Sequence, residues 1–132
     1  MVTRLRPIFL ALSACLIGAW VVHILALWKH GWLPYRFAPM PLNVYWTTLT
    51  FWDALAAVLL LSHPAAGLML ALVIITSDVA LNIFARFYLG LQLRSVFLLL
   101  QCIFLVAVFA VTLYARHAAS ARTHRGHPAS SR

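Results

Sequence analysis

The sequence predicts an all-α fold, a polytopic membrane protein built as a four-helix transmembrane bundle with a short hairpin between helices two and three. Three observations carry this. Of the 132 residues, 64% are hydrophobic and only 9% are charged, with a mean hydropathy of +0.95. A soluble domain carries about 25% charged and about 45–50% apolar residues. The apolar residues fall into four runs of roughly 20, the length a helix needs to cross a ~30 Å hydrocarbon core. The break between the second and third runs is only Ser62-His63-Pro64. Lipid does not satisfy open backbone groups, and runs this long exceed what a barrel strand requires, so each is a helix. The same composition excludes a soluble enzyme, a disordered chain and a secreted disulfide scaffold.

The first helix is expected from about Pro7 to Trp28. Its start, with Arg4 and Arg6 before an apolar run and Leu12-Ser13-Ala14-Cys15, is similar to a lipoprotein cleavage site. Apolar sequence continues from Leu16 to Trp28, beyond the about 7–15 residues of a signal peptide, so an uncleaved span is expected. The stretch Lys29 to Met40 holds prolines 34 and 39, followed by Pro41, which forbid a long helix. Its Trp32, Tyr35, Arg36 and Phe37 suit the headgroup layer.

Helix two is expected from about Pro41 to Leu61 and helix three from about Pro64 to Arg86. Pro64 fits the first helical position, where a missing N–H costs nothing. The three-residue break makes the two helices antiparallel neighbours. Gly90 marks the next turn, and helix four is expected from about Leu93 to Tyr114. The transmembrane domain thus covers residues 1–116, and residues 117–132 form a basic, disordered tail rich in Ala, Ser, Arg and His.

Ten Lys and Arg stand against two Asp and no Glu, a formal charge of +8. The cations lie at the ends of the apolar runs and in the tail, which suits anionic lipid headgroups and not nucleic acid. With both termini cytoplasmic, the inner side carries Arg4, Arg6, Arg116, Arg122, Arg125 and Arg132. The outer side carries Lys29, Arg36, Arg86 and Arg94. The bias toward Arg over Lys, with abundant Ala and Leu, points to a bacterial inner membrane. Cys15 and Cys102 fall inside apolar runs and act as small apolar residues.

The polar residues inside the spans carry the functional reading. An acid at mid-bilayer costs at least ~2.5 kcal/mol, so it faces the bundle interior and finds a partner. Both acids, Asp53 and Asp78, lie in spans. At 100° per residue, Gly67, Ala71, Asp78 and Asn82 share one face of helix three, with Arg86 one turn further on. Gly67 and Ala71 form a small-xxx-small pair that lets backbones approach. Helix two shows a stripe of Trp46, Thr50, Asp53 and Ala57. Helix four places Arg94 and Gln101 on one face, and helix one places His23 between Ala19 and Ala26.

Counted from the outer helix ends, Asp78, Gln101 and Thr50 lie roughly 12–14 Å deep, His23, Thr47 and Asn82 ~8 Å, and Asp53 about 16–18 Å. The polar groups therefore converge on the outer half. Two uses are open. The groups are interhelical glue, with Asp78 held by Arg86, Asn82 or His23. Alternatively, His23, Thr47, Thr50, Asp53, Asp78, Asn82 and Gln101 line a ligand or proton-relay site rimmed by Arg86 and Arg94. No metal site or cofactor is expected: His23 is the single histidine within a span, and His117, His124 and His127 lack ligand spacing.

The small multidrug transporters share this size and helix count, but their essential acid lies in the first helix, which has none here. Asp53 and Asp78 resemble in kind the membrane acids of sterol-isomerase-like four-helix proteins. No motif aligns residue by residue, and the chain is assigned to neither family. Three functions follow as expectations. The first is a non-enzymatic scaffold or accessory subunit whose partners are lipids, a membrane protein or a second copy. The second is a small carrier of a lipid-like or cationic ligand using Asp78 and Asp53. The third is a lipid-modifying enzyme with His23 and Asp78 as acid and base.

Overall fold

The computed structural model describes residues 2–125. Among them four helices follow in chain order: α1 Val2–His30, α2 Met40–Ser62, α3 Pro64–Phe87 and α4 Ser95–Arg125. All four are long and apolar enough to cross a membrane, over Leu5–His30, Met40–Ser62, Pro64–Phe87 and Ser95–Ala121.

The connections follow from their residues. Gly31 ends α1 at φ +75°, its N–H bonded to Leu27 O at 2.9 Å, a left-handed closure that glycine adopts without strain. The single residue His63, exposed and extended at φ −134°, separates α2 from α3, and Pro64 opens α3. Gly90, at φ +67°, turns the chain between α3 and α4.

The helices pack in sequence order, α1 on α2, α2 on α3 and α3 on α4, with only slight contact beyond these pairs. Helices α2 and α3 are the inner pair. Their approach is close at Gly67, where a Cβ would lie 2.3 Å from the backbone nitrogen of Leu60. Only hydrogen fits there, the physical content of the small-residue pair with fully buried Ala71. Helix α1 buries Leu5, Phe9, Leu12, Ser13 and Leu16, one stripe at helical spacing. Helix α4 flanks the other side, and among its described side chains Val108 and Thr112 are buried.

Two boundaries differ from expectation. Helix α1 begins at Val2, so Pro7 lies inside it. Helix α4 runs past Tyr114 to Arg125, so the segment from His117, expected to be irregular, is helical that far. Ala115, Ala118, Ala119 and Ala121 explain this, because alanine is the strongest helix former. Met1 and residues 126–132, with the expected disorder of the tail's end, lie outside the described residues.

Candidate functional site

The polar side chains gather toward the end of the molecule that carries the 31–39 and 88–94 loops, in two clusters rather than one. The first joins α3 to α4. Asp78, 7% exposed, is clamped between two amides. Asn82 Nδ2 donates to its Oδ1 at 3.1 Å, and Gln101 Nε2 donates to its Oδ2 at 2.6 Å. Asn82 Nδ2 also donates to Gln101 Oε1 at 3.0 Å. The i, i+4 spacing of Asp78 and Asn82 puts both on one helical turn, and Gln101 completes the ring from the neighbouring helix.

The second cluster joins α1, the 31–39 loop and α2. His23 is its centre. Its Nδ1 lies 2.6 Å from the Tyr35 hydroxyl, and its Nε2 lies 3.8 Å from Asp53 Oδ2. The second distance is an electrostatic contact, too long for a hydrogen bond. Asp53 is 3% exposed, and His23 is the sole partner it finds among the described residues. Thr50, one turn earlier on the same α2 face and 4% exposed, keeps its hydroxyl buried without a partner.

Tyr35 is placed by its surroundings. Its backbone N–H donates to Asn43 Oδ1 at 3.0 Å, and Asn43 Nδ2 donates back to Leu33 O at 3.1 Å. This brace holds Leu33 at φ +56°, a conformation that a branched side chain rarely adopts. The Tyr35 ring meets Trp46 edge-on at 5.5 Å and Phe37 at 6.3 Å. Burial, reinforced by the charges of Asp78 and Asp53, pushes its phenol up to about 12. The phenol thus keeps its proton near neutral pH, and it donates to Nδ1 when the imidazole is in its Nε2–H tautomer. In that tautomer the imidazole's own hydrogen sits on Nε2, facing Asp53.

Several expectations resolve here. The α2 stripe of Trp46, Thr50, Asp53 and Ala57 is buried throughout, as is the α3 face of Gly67, Ala71, Asp78 and Asn82. Thr47 is buried too, but its hydroxyl returns to Asn43 O within its own helix at 2.7 Å. His23 faces Asp53, and not Asp78. Depth counted along each helix says nothing of rotation about its axis, and it is α1 packed on α2 that brings His23 to Asp53. Arg86 does not reach Asp78 or Asn82. Its guanidinium donates to Leu93 O and sits 5.9 Å from the Phe87 ring centroid, stapling the 88–94 loop. Arg94 precedes α4 and is exposed, so it shares no helix face with Gln101.

Four contributors escaped the sequence reading: Tyr35, Asn43, the Ser13 hydroxyl bonded to Ala57 O at 3.0 Å, and Tyr45 paired with Ser77 at 2.8 Å. The three-residue spacing between Thr50 and Asp53 was visible; the inward loop was not. Two clefts, of about 370 and 250 Å³, are apolar. One lies between α3 and α4 beside Leu72 and Phe109, the other between α1 and α2 beside Ile17 and Val58, and neither is lined by Asp53 or Asp78. Among the described residues no group of His, Cys, Asp and Glu is arranged to hold a metal ion.

No protein-family model, curated protein or solved structure matches the chain.

Proposed function

We propose that the chain is a multi-pass membrane protein of non-enzymatic role, a scaffold or accessory subunit whose polar residues fix the helices for a larger assembly. The clamped carboxylate of Asp78 carries this reading: both oxygens are taken by side-chain amides. Neither apolar cleft touches it. A carboxylate with a donor on each oxygen and no cleft beside it acts as a fastener between helices. Four crossings put both termini on one membrane side, and the six flanking cations favour the cytoplasmic side of a bacterial inner membrane. In this reading residues 117–132 form a basic extension there. Membrane lipids and a membrane-protein partner, or a second copy, are the expected company.

The test is purification of the full chain from its native membrane in lipid nanodiscs, with everything retained identified by mass spectrometry. A membrane protein recovered in fixed proportion supports the reading. A chain recovered alone with one stoichiometric small molecule overturns it in favour of the carrier. Asp78→Asn separates the two further: reduced abundance fits a fastener, whereas normal abundance with lost phenotype fits a ligand site.

The carrier reading has one observation of its own, Asp53, whose carboxylate has a single distant partner. The enzyme reading loses its acid–base pair, since His23 and Asp78 belong to different clusters.

A further inference from the structure

Asp53 is the polar group that the fastener reading leaves unexplained. Asp78 is clamped by two amides. Asp53 is equally buried, yet among the described residues it accepts no hydrogen bond and has His23 as its sole neighbour of opposite polarity. On its other nitrogen that histidine holds a tyrosine of the loop at the polar end of the molecule. We propose that Asp53 is a reversible proton-binding site inside the apolar layer, filled and emptied through Tyr35 and His23.

The atoms are in order for this transfer. A proton from the aqueous side joins Tyr35 Oη as the phenol's own proton passes along the 2.6 Å contact to His23 Nδ1. The Nε2 proton then passes to Asp53 Oδ2, 3.8 Å away, once a side-chain rotation closes that gap. One proton enters, and one O–H bond forms at Asp53. The carboxylate becomes neutral, Tyr35 is unchanged, and the imidazole stays neutral with its hydrogen moved from Nε2 to Nδ1. Release runs the steps backward. The buried Thr50 hydroxyl, without a partner one turn away, supplies a further hydrogen-bonding group on the same face.

The path has one open end. Tyr35 is half-buried, and the Arg36 beside it is exposed. Beyond Asp53 the buried face of α2 continues as Ala56, Ala57 and Leu60, with Ser13 closing on Ala57 O. No titratable side chain continues that line among the described residues. The arrangement therefore stores a proton and does not conduct one across. The titratable groups in contact or electrostatic reach are His23 from α1, Tyr35 from the loop, Tyr45 on α2, whose hydroxyl pairs with Ser77, and Asp78 from α3, whose charge reaches Tyr35. Among the described residues no ion pair or hydrogen bond joins a charged side chain of α4 to them. The inference is independent of the accessory-subunit reading, since a scaffold or a carrier could equally carry such a site.

Infrared difference spectra of the full chain in nanodiscs, recorded against pH, test it. The expected result is a carboxylic-acid carbonyl band that titrates, is lost in Asp53→Asn and persists in Asp78→Asn. In Tyr35→Phe, which keeps the ring against Trp46, the band's deuterium exchange slows by about 100-fold, the low end for losing a positioned proton-transfer group. A titrating band that survives Asp53→Asn, or exchange equally fast in Tyr35→Phe, overturns the proposal. If Tyr35→Phe does not fold, nitrogen NMR of His23 in the unmodified chain decides. A hydrogen that moves between Nε2 and Nδ1 across the same pH range supports the path, and a single fixed tautomer overturns it.

Discussion

Gln101 of α4 donates to Asp78 of α3 at 2.6 Å, and this bond is the main polar tie on a helix that, among its described side chains, otherwise buries only Val108 and Thr112. In lipid no hydrophobic force draws helices together, so packing and hydrogen bonds must do it. Gln101→Leu removes the donor to Oδ2 and leaves Asp78 with Asn82 alone. Stability is expected to fall by about 1–2 kcal/mol, an interhelical bond plus a partly unsatisfied acid. Unfolding in mixed micelles against rising denaturing detergent measures it. An unchanged midpoint would show that α4 is held by packing alone.

Gly67→Ala tests the close approach of α3 to α2. The added methyl would meet Leu60 N at 2.3 Å and Leu60 Cα at 2.6 Å, both backbone atoms that do not step aside. The α2–α3 hairpin must open, at a cost of about 2 kcal/mol or more. Gly18→Ala is the matched control, since nothing lies within 4 Å of its Cβ. It should be neutral or mildly stabilising, because alanine orders a helix interior better than glycine. Equal effects at the two positions would remove the close-approach argument.

What the sequence discloses, and what it hides, divides along a physical line. The α3 face of Gly67, Ala71, Asp78 and Asn82 was readable because residues on one helix share a fixed angular period. The hairpin at His63 was readable because so short a break permits little else. Partners across helices depend on rotation and level, which hydropathy does not encode. Arg86 therefore went to the Leu93 carbonyl and not to Asp78, and His23 went to Asp53. Tyr35 was hidden for a related reason. A loop rich in Trp, Tyr and Arg reads as headgroup-layer sequence, and only the Asn43 brace turns this tyrosine inward.

Asn43 is therefore expected to control that loop. Its side chain accepts from Tyr35 N and donates to Leu33 O, so Asn43→Leu loses both bonds and leaves two half-buried backbone groups unpaired. Asn43→Asp keeps the acceptor and loses the donor. Limited trypsin digestion at Arg36 in liposomes should run fastest in Asn43→Leu, intermediate in Asn43→Asp and slowest in the natural chain. An identical rate in all three would mean the aromatic contacts with Trp46 and Phe37 hold the loop by themselves.

The Tyr35 phenol gives the loop an alkaline limit. Its ordinary value of 10.0 is raised to about 12 by burial first and by the charges of Asp78 and Asp53 after it. The folded chain then holds this proton more tightly than the unfolded chain does. The associated stability is whole below pH about 10 and is lost as pH rises through about 12. Ionised, the phenol no longer donates to Nδ1, and the loop keeps its link to His23 only in the tautomer that carries its hydrogen on Nδ1. Trp46 lies 5.5 Å from this ring and reports the event, since a tyrosinate quenches neighbouring indole emission. The natural chain should show quenching that Tyr35→Phe lacks, with a midpoint well above that of a free tyrosine. A midpoint at the ordinary value would mean that Tyr35 is solvated and that its contact with His23 is open in the membrane.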